Sequence, residues 1–228
     1  MKEFVKGIPV IGTLAQRIYH AWFKRPKPFP GSREYWIQRY ESGDDSGAGS
    51  YKQLAEFKAD VLNTFVKENN VNTVIEFGCG DGNQLQLGDY PSYIGFDVSP
   101  KAVSICKNKF AGDSHKTFRL MDDFRQERAQ LALSLDVVYH LTEDDVFDAY
   151  MTTLFNSAER FVIIYSSDLE YNEEKQAAHI KHRKFSQWIT ENRPQFKLTR
   201  HIPNRYPLTA DGKEGSFADF YIYTRLDA

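Results

Sequence analysis

The chain has 228 residues, 41% of them hydrophobic, with a formal net charge of −2. That is enough chain for one domain with a full core, and the charge excludes a general nucleic-acid binder. The two cysteines, Cys79 and Cys106, form no CxxC pair, which argues against a disulfide framework or a cysteine zinc site and for a reducing compartment. No apolar run approaches the roughly 20 residues of a membrane-spanning helix. The N-terminal "FVKGIPVIG" is short, broken by Pro9, and carries no clear signal-peptide cleavage site. A soluble, cytoplasmic protein is expected.

Residues 1–31 read as an amphipathic, basic arm followed by a Pro-rich linker. Leu14, Ile18, Ala21 and Trp22 recur at helical spacing beside Arg17, Lys24 and Arg25, and "RPKPFPG" then breaks the helix. Three uses of the arm stay open: a strap on the body, a peripheral contact of residues 1–27 with the inner membrane face, or pairing with another subunit. The oligomeric state is likewise open.

Residues 32–228 read as one domain. Ser32–Tyr40 is a short helix, "SGDDSGAGS" a loop, and Tyr51–Glu68 a strong helix with Leu54, Phe57, Val61, Leu62 and Phe65 on one face. Strands follow at 73–77 and 93–97. A helix at 99–110 opens with Ser99 at the cap and Pro100 in the first turn. Next come a strand at 116–122, a strand within 131–141, a helix from Thr142, and a buried strand at 160–167. One or two helices are expected in 173–192, and two closing strands at 196–202 and 218–226, plausible as an antiparallel pair. Repeated strand–helix units with apolar strands predict a mostly parallel sheet with helices on both faces.

The informative stretch is "VIEFGCGDGNQLQLGDYPSYIGFDVSP", Val74 to Pro100. Gly78, Gly80 and Gly82 follow the first strand, where an open α/β sheet binds ligands. Glycine lets a ligand press against the backbone. Asp97 ends the second strand, where a carboxylate can grip a ribose diol. A nucleoside is therefore expected. The spacing is GxGxG rather than the GxGxxG of dinucleotide folds, and Glu76 would repel a pyrophosphate but suit a cation.

"E-F-G-C-G-D-G" followed by "Y-I-G-F-D" resembles the class I S-adenosylmethionine-dependent methyltransferases, in particular a bacterial subgroup linked to polysaccharide or secondary-metabolite genes. The resemblance covers residues 32–228 and implies a Rossmann-like seven-stranded sheet closed by an antiparallel C-terminal hairpin. It implies that Glu76, Gly78, Cys79, Gly80, Asp81 and Gly82 wrap the amino-acid end and sulfonium side of S-adenosyl-L-methionine, and that Asp97, with Val98 beside it, holds the ribose. "RLMDDF" matches the third motif, with Asp122 toward the adenine amino group and Asp123 and Phe124 beside it. "LALSLDVVYHL" matches the fourth, adding Leu135 to the cofactor set. Residues 32–69 look like an N-terminal lid: Tyr35, Trp36, Arg39 and Tyr40 over the cofactor, and Ser46, Gly47, Gly49 and Ser50 near its carboxylate or the acceptor. S-adenosyl-L-homocysteine would be the product, and no metal is expected.

Tyr139 and His140 leave the fourth strand where the acceptor should sit, and are the candidate catalytic residues. Histidine has the pKa of a base for an alcohol. The competing reading makes His140 a helix cap or a packing residue. Asp136 lies in the same strand without an aligned acid cluster, so a structural or cofactor-facing role is expected for it. His179 and His182, three apart, are expected on one helical face beside Arg183. "RHIPNRYP" adds Arg200, His201 and Arg205. Acids dominate Asp136–Glu174 and bases Lys175–Arg205; the basic run is a solvated face or, if it meets the pocket, the reader of an anionic acceptor. The expected activity is direct in-line O-methylation of a polar small-molecule or glycan-linked acceptor, with anionic character open and no nucleic-acid partner. The acceptor atom (oxygen, nitrogen or carbon) is open. The alternatives are a non-catalytic cofactor-binding scaffold and a nicotinamide-dependent oxidoreductase.

Overall fold

The apolar runs fold as strands of one sheet. In a computed structural model that describes residues 28–173, 176–212 and 214–226, β1 (Val74–Phe77) is buried along its length. It lies parallel to β2 (Tyr93–Asp97) on one side and to β4 (Ala129–Leu135) on the other. β3 (Lys116–Leu120) adds in parallel outside β2, and β5 (Ala158–Ser166) in parallel beside β4. β6 (Phe196–Ile202) and β7 (Asp219–Arg225) form an antiparallel pair, with β7 antiparallel to β5. Among the described residues the order is β3-β2-β1-β4-β5-β7-β6. The winding direction switches between β1 and β4, and ligand sites form beyond the strand ends at such a switch.

The chain divides into Met1–Pro30 and Gly31–Ala228, and all five described helices lie in the second unit. The arm reading falls on residues 1–27, outside the described residues. The helices are α1 (Ser32–Glu41), α2 (Lys52–Glu68), α3 (Pro100–Lys109), α4 (Asp144–Ser157) and α5 (Phe185–Asn192). Ser99 caps α3 by accepting from the Ala102 amide at 3.3 Å.

Alternation along β5 divides the core in two. Phe161, Ile163 and Tyr165 pack with Phe57, Leu62 and Phe65 of α2 and with Val103 and Cys106 of α3. Val162 and Ile164 point the other way, to Met151, Leu154 and Phe155 of α4 and Ile189 of α5. Helices therefore cover both faces. Among the described residues no helix is long and apolar enough to cross a membrane.

Two expectations change. The strand expected within 131–141 is present as β4, but Asp136, expected inside it, lies just past its end: it takes a left-handed φ of 59°, and Val138–His140 coil into a 3₁₀ turn. The region 173–192 is, among its described residues, helical only from Phe185 to Asn192. Its earlier part is tied elsewhere: the Lys181 amide donates to the Tyr139 carbonyl (2.8 Å), and the His182 amide to the Asn172 side chain (2.7 Å). Those bonds replace a helical ladder, so His179 and His182 do not share a helical face.

Candidate active site

The glycine loop is shaped by the strand that follows it. The Gly78 and Cys79 amides both donate to the Phe96 carbonyl, at 2.7 and 3.1 Å. The Gly80 amide donates to Asp97 Oδ2 at 2.9 Å, and the Ser99 amide to Asp97 Oδ1 at 2.8 Å. One buried carboxylate thus fastens the loop to the end of β2. Burial pushes its pKa up, and those amides pull it back. Gly78 and Gly80 have φ of 88° and 57°, and a Cβ at either would come within 2.4 Å of Val137 Cγ2 or Ser46 Oγ. At both positions glycine is required by conformation and by space.

Glu76 is buried at the end of β1 and accepts from the Tyr93 hydroxyl at 2.6 Å. Burial pushes its carboxyl up to about 7, against the opposing pull of Tyr93 and Lys58. Beside it opens a cavity of about 450 Å³, within the size range of small-molecule sites.

The expected residues divide by position. Trp36, Tyr40, Ser46, Ser50, Glu76, Gly78, Cys79, Gly80, Asp97, Val98, Asp122, Leu135 and His140 all line this cavity. Gly82, Asp81, Arg39 and Phe124 stand behind the wall. Asp81 accepts from the Ser46 amide (3.1 Å) and the Tyr51 hydroxyl (2.9 Å), which holds the lid turn against the loop. Gly82 makes room for Cys106 Sγ, 2.9 Å from where its Cβ would be. Arg39 donates to the Asp45 carbonyl and lies over the Trp36 ring. Phe124 packs edge-on against Phe77 and Phe96. Asp123 is exposed. Gly49 sits against Asp136, whose Oδ2 lies 2.7 Å from where a Cβ would be.

Arg183, Arg200 and Arg205 are not brought to the cavity wall. Arg183 donates to the Leu141 and Thr142 carbonyls and pairs with Asp144 at 2.7 Å, fastening the start of α4. Arg200 is exposed on β6, and Arg205 pairs with Asp60 at 3.2 Å. His182 Nδ1 lies 2.6 Å from Ser167 Oγ.

His140 reaches the cavity from the 3₁₀ turn after β4. Its Nδ1 lies 2.8 Å from the His179 carbonyl. A carbonyl only accepts, so Nδ1 carries the hydrogen and Nε2 holds the lone pair. Burial pushes the imidazole down to about 4, so it is neutral at ordinary pH. Trp36 meets it edge-on at 4.8 Å, and His179 stacks on it at 5.3 Å with Tyr35 stacked on His179 at 4.6 Å. Tyr139 lies behind and donates to Asp136 Oδ1 at 2.8 Å.

The sequence reading missed several wall residues: Ser32, Arg33, Lys58, Gln84, Met121, Val146, Ala149, Tyr150 and Thr153. Lys58 left a signal: it falls midway between Leu54 and Leu62 on the apolar stripe of α2. The lid is clasped from both ends. Ser32 of α1 donates its amide to Glu143 Oε1 at 2.8 Å and its hydroxyl to Glu143 Oε2, and accepts from the Thr142 amide at 2.9 Å. Arg33 pairs with Asp122 at 2.6 Å, and at the far end the Tyr40 hydroxyl lies 2.8 Å from Ser46 Oγ. Among the described residues, no group of three or more His, Cys, Asp or Glu stands where it could hold a metal ion.

A family profile described as "Methyltransferase domain" matches residues 51–205. A curated relative, the small RNA 2'-O-methyltransferase of Arabidopsis thaliana, is 29% identical over 139 residues. That match covers 52% of this chain and only 14% of the relative, so this chain spans a small part of that protein. Among solved structures, the N-methyltransferase NodS from Bradyrhizobium japonicum, in complex with S-adenosyl-L-homocysteine, has a TM-score of 0.66 at 15% identity. The alignment covers 86% of this chain and 98% of NodS. Magnesium protoporphyrin IX methyltransferase from Synechocystis PCC 6803, with bound S-adenosylmethionine, has a TM-score of 0.55 at 17% identity, covering 93% and 96% of the two chains. Both share the fold.

Proposed function

This chain belongs to the methyltransferase-domain family of class I, S-adenosylmethionine-dependent enzymes, and we propose that it methylates a hydroxyl oxygen of a polar acceptor by direct in-line transfer. One observation carries this reading: the glycine loop, Glu76, Asp97 and a neutral histidine line a single cavity beyond the ends of β1, β2 and β4. The residues fit the donor. Asp97 keeps a carboxylate at the end of β2, suited to a ribose diol, and Gly78 and Gly80 let Val137, Ser46 and Tyr40 pack against the loop backbone. Met121, Ala149 and Tyr150 add apolar surface to the wall, which Asp122 also lines. Glu76 gives a buried acid suited to a cation. When bound, S-adenosylmethionine supplies an activated methyl on a sulfonium.

The protein's part is to position, to exclude water and to take a proton. Positioning two reactants in line accounts for most of the acceleration of such a displacement. Trp36 and Tyr40 are on the cavity wall, where they would help keep water from competing. His140 Nε2, unprotonated and at the cavity wall, is the group placed to take the acceptor's proton. Tyr139 orients Asp136. An imidazole held near pKa 4 is a weak base, so its share lies at the lower end of general-base effects, about 10²-fold.

Small polar or glycan-linked alcohols are the first acceptors to test; any anionic group on them would not meet Arg200 or Arg205, which lie away from the cavity. An RNA 2'-hydroxyl is the second reading, favoured by the Arabidopsis relative. The test is transfer of labelled methyl into a fractionated extract of the source organism and into short RNA duplexes, with Asp97→Ala as blank. Label in a polar or glycan fraction supports the first reading, and label in RNA the second. No transfer by a chain that binds S-adenosylhomocysteine would leave a binding scaffold. A peripheral contact of residues 1–27 with anionic membrane goes with this reading; no sedimentation with anionic vesicles at low salt removes it.

A further inference from the structure

Lys58 is the least expected charge in the molecule. It stands on the apolar face of α2 with its side chain 1% exposed, and its ammonium donates to Asp136 Oδ2 at 2.6 Å. The face of Tyr165 lies 5.2 Å from the same nitrogen. Such a pair is costly to bury, and apolar residues of similar volume are often as stabilising or more so. Stability alone does not account for it.

Asp136 stands where β4 gives way to the turn that carries His140. Its φ of 59° is left-handed, uncommon for a residue with a side chain, and its amide donates to the Tyr165 carbonyl at 2.9 Å. Both carboxylate oxygens are engaged. Oδ2 receives Lys58, and Oδ1 receives the Tyr139 hydroxyl at 2.8 Å. The Tyr139 ring is buried beside the His140 ring, with centroids 4.4 Å apart, and the Tyr139 carbonyl accepts from the Lys181 amide at 2.8 Å. The segment that supplies Lys181 also supplies the His179 carbonyl that meets His140 Nδ1. The lid turn bears on the same carboxylate: a Cβ on Gly49 would lie 2.7 Å from Asp136 Oδ2. Asp136 thus joins α2, the lid turn and the His140 turn.

We propose that the buried Lys58–Asp136 pair is a positioning device for His140: Lys58 fixes the carboxylate, the carboxylate fixes Tyr139, and Tyr139 seats the imidazole against the His179 carbonyl. Apolar residues could hold α2 on the sheet equally well, but apolar attraction has no direction and would leave the turn free to shift. Hydrogen bonds to a carboxylate do have direction. Lys58 and Asp136 are positioning residues here, acting through Tyr139. Their role rests on the reading of His140 as the proton acceptor, and it adds what keeps the ring in place.

Histidine NMR of the full chain tests this without an acceptor. In the unmodified chain His140 is packed by Trp36, Tyr139 and His179 and faced by Asp136 from its own turn and Arg39 from α1. It should titrate at about 4, with the hydrogen of the neutral ring on Nδ1. Lys58→Met combined with Asp136→Gly removes both buried charges together and keeps a residue that accepts the left-handed φ. In that variant the His140 titration should rise by at least about one pH unit, toward the value of roughly 6.5 for a free imidazole. Phe155→Leu, a change in the other half of the core, should leave it at about 4. A folded double variant whose His140 still titrates at about 4 overturns the proposal, and so does an equal rise in Phe155→Leu. If the double variant does not fold, Tyr139→Phe decides. It keeps the ring but cuts the link to the carboxylate, so a smaller rise is expected and an unchanged titration overturns the proposal equally. A His140 that titrates near 6.5 in the unmodified chain would instead sink the reading of His140 itself.

Discussion

The two ends of the cavity are assembled in different ways. At the end proposed for the donor, Glu76, Gly78, Gly80 and Asp97 come from one short run, and a single carboxylate ties β2 back to the loop through Gly80 and Ser99. At the end proposed for the acceptor, His140 is held by the His179 carbonyl, 39 positions away, and meets Trp36 of α1 edge-on. The first end depends on local backbone geometry, so it tolerates almost no substitution. The second depends on rings from separate segments leaning on each other, so changes there should alter rate before they alter binding.

Asp97→Ala is the harshest way to break the donor end. It removes both loop bonds and the diol partner, and affinity for S-adenosylhomocysteine should fall by at least about 100-fold in a titration. His140→Ala addresses the other end. Turnover should drop by about 10²-fold with cofactor affinity unchanged. The rate of the unmodified chain should hold on the acid side and fall only toward pH 4, where the imidazole gains its proton. An acid limb centred near 6.5 would mean that His140 is not the base.

Glu76 sharpens the comparison through stability. Its folded pKa is raised from 4.5 to about 7, so the folded chain holds a proton that the unfolded chain releases. The stability this gives is present below about pH 4.5 and is lost as pH rises through 7. Melting temperature without ligand should therefore decline over that window. Glu76→Gln should flatten the decline and raise Tm at pH 8, while weakening S-adenosylhomocysteine binding. A parallel decline in both proteins would refute the assignment.

Smaller effects should come from the lid and the edge. Glu143→Ala unfastens Ser32 at the start of α1, with an expected loss of about 1 kcal/mol by denaturant melt and faster release of S-adenosylhomocysteine in stopped flow. Arg200→Ala, on the exposed face of β6, should change neither turnover nor binding; a raised KM for the acceptor would place β6 at the acceptor path.

Legibility followed the same division. The glycine spacing and two strand-end acids pointed to the donor end because the relevant geometry spans one strand–loop–strand unit. In the segment 173–192 a helix does form at Phe185–Asn192, but the stretch around His179 and His182 misled, because the Lys181 and His182 amides are claimed by Tyr139 and Asn172. The basic run read as a possible anion site, yet Arg183 serves carbonyls at the start of α4 and Arg205 serves Asp60. Charge in sequence says nothing about which partner is nearest in space.

By itself, then, the sequence determined the alternating strands and helices, the mostly parallel sheet with its closing hairpin, and the glycine loop after β1. Each follows from periodicity or from short-range backbone constraints that act within a few residues. The tertiary structure alone decided that Lys58 is buried against Asp136, that the His179 carbonyl takes the Nδ1 side of His140, and that Ser32 and Glu143 fasten the start of α1. Those depend on which side chains meet after distant segments pack, and burial then sets their charge and hydrogen-bonding needs.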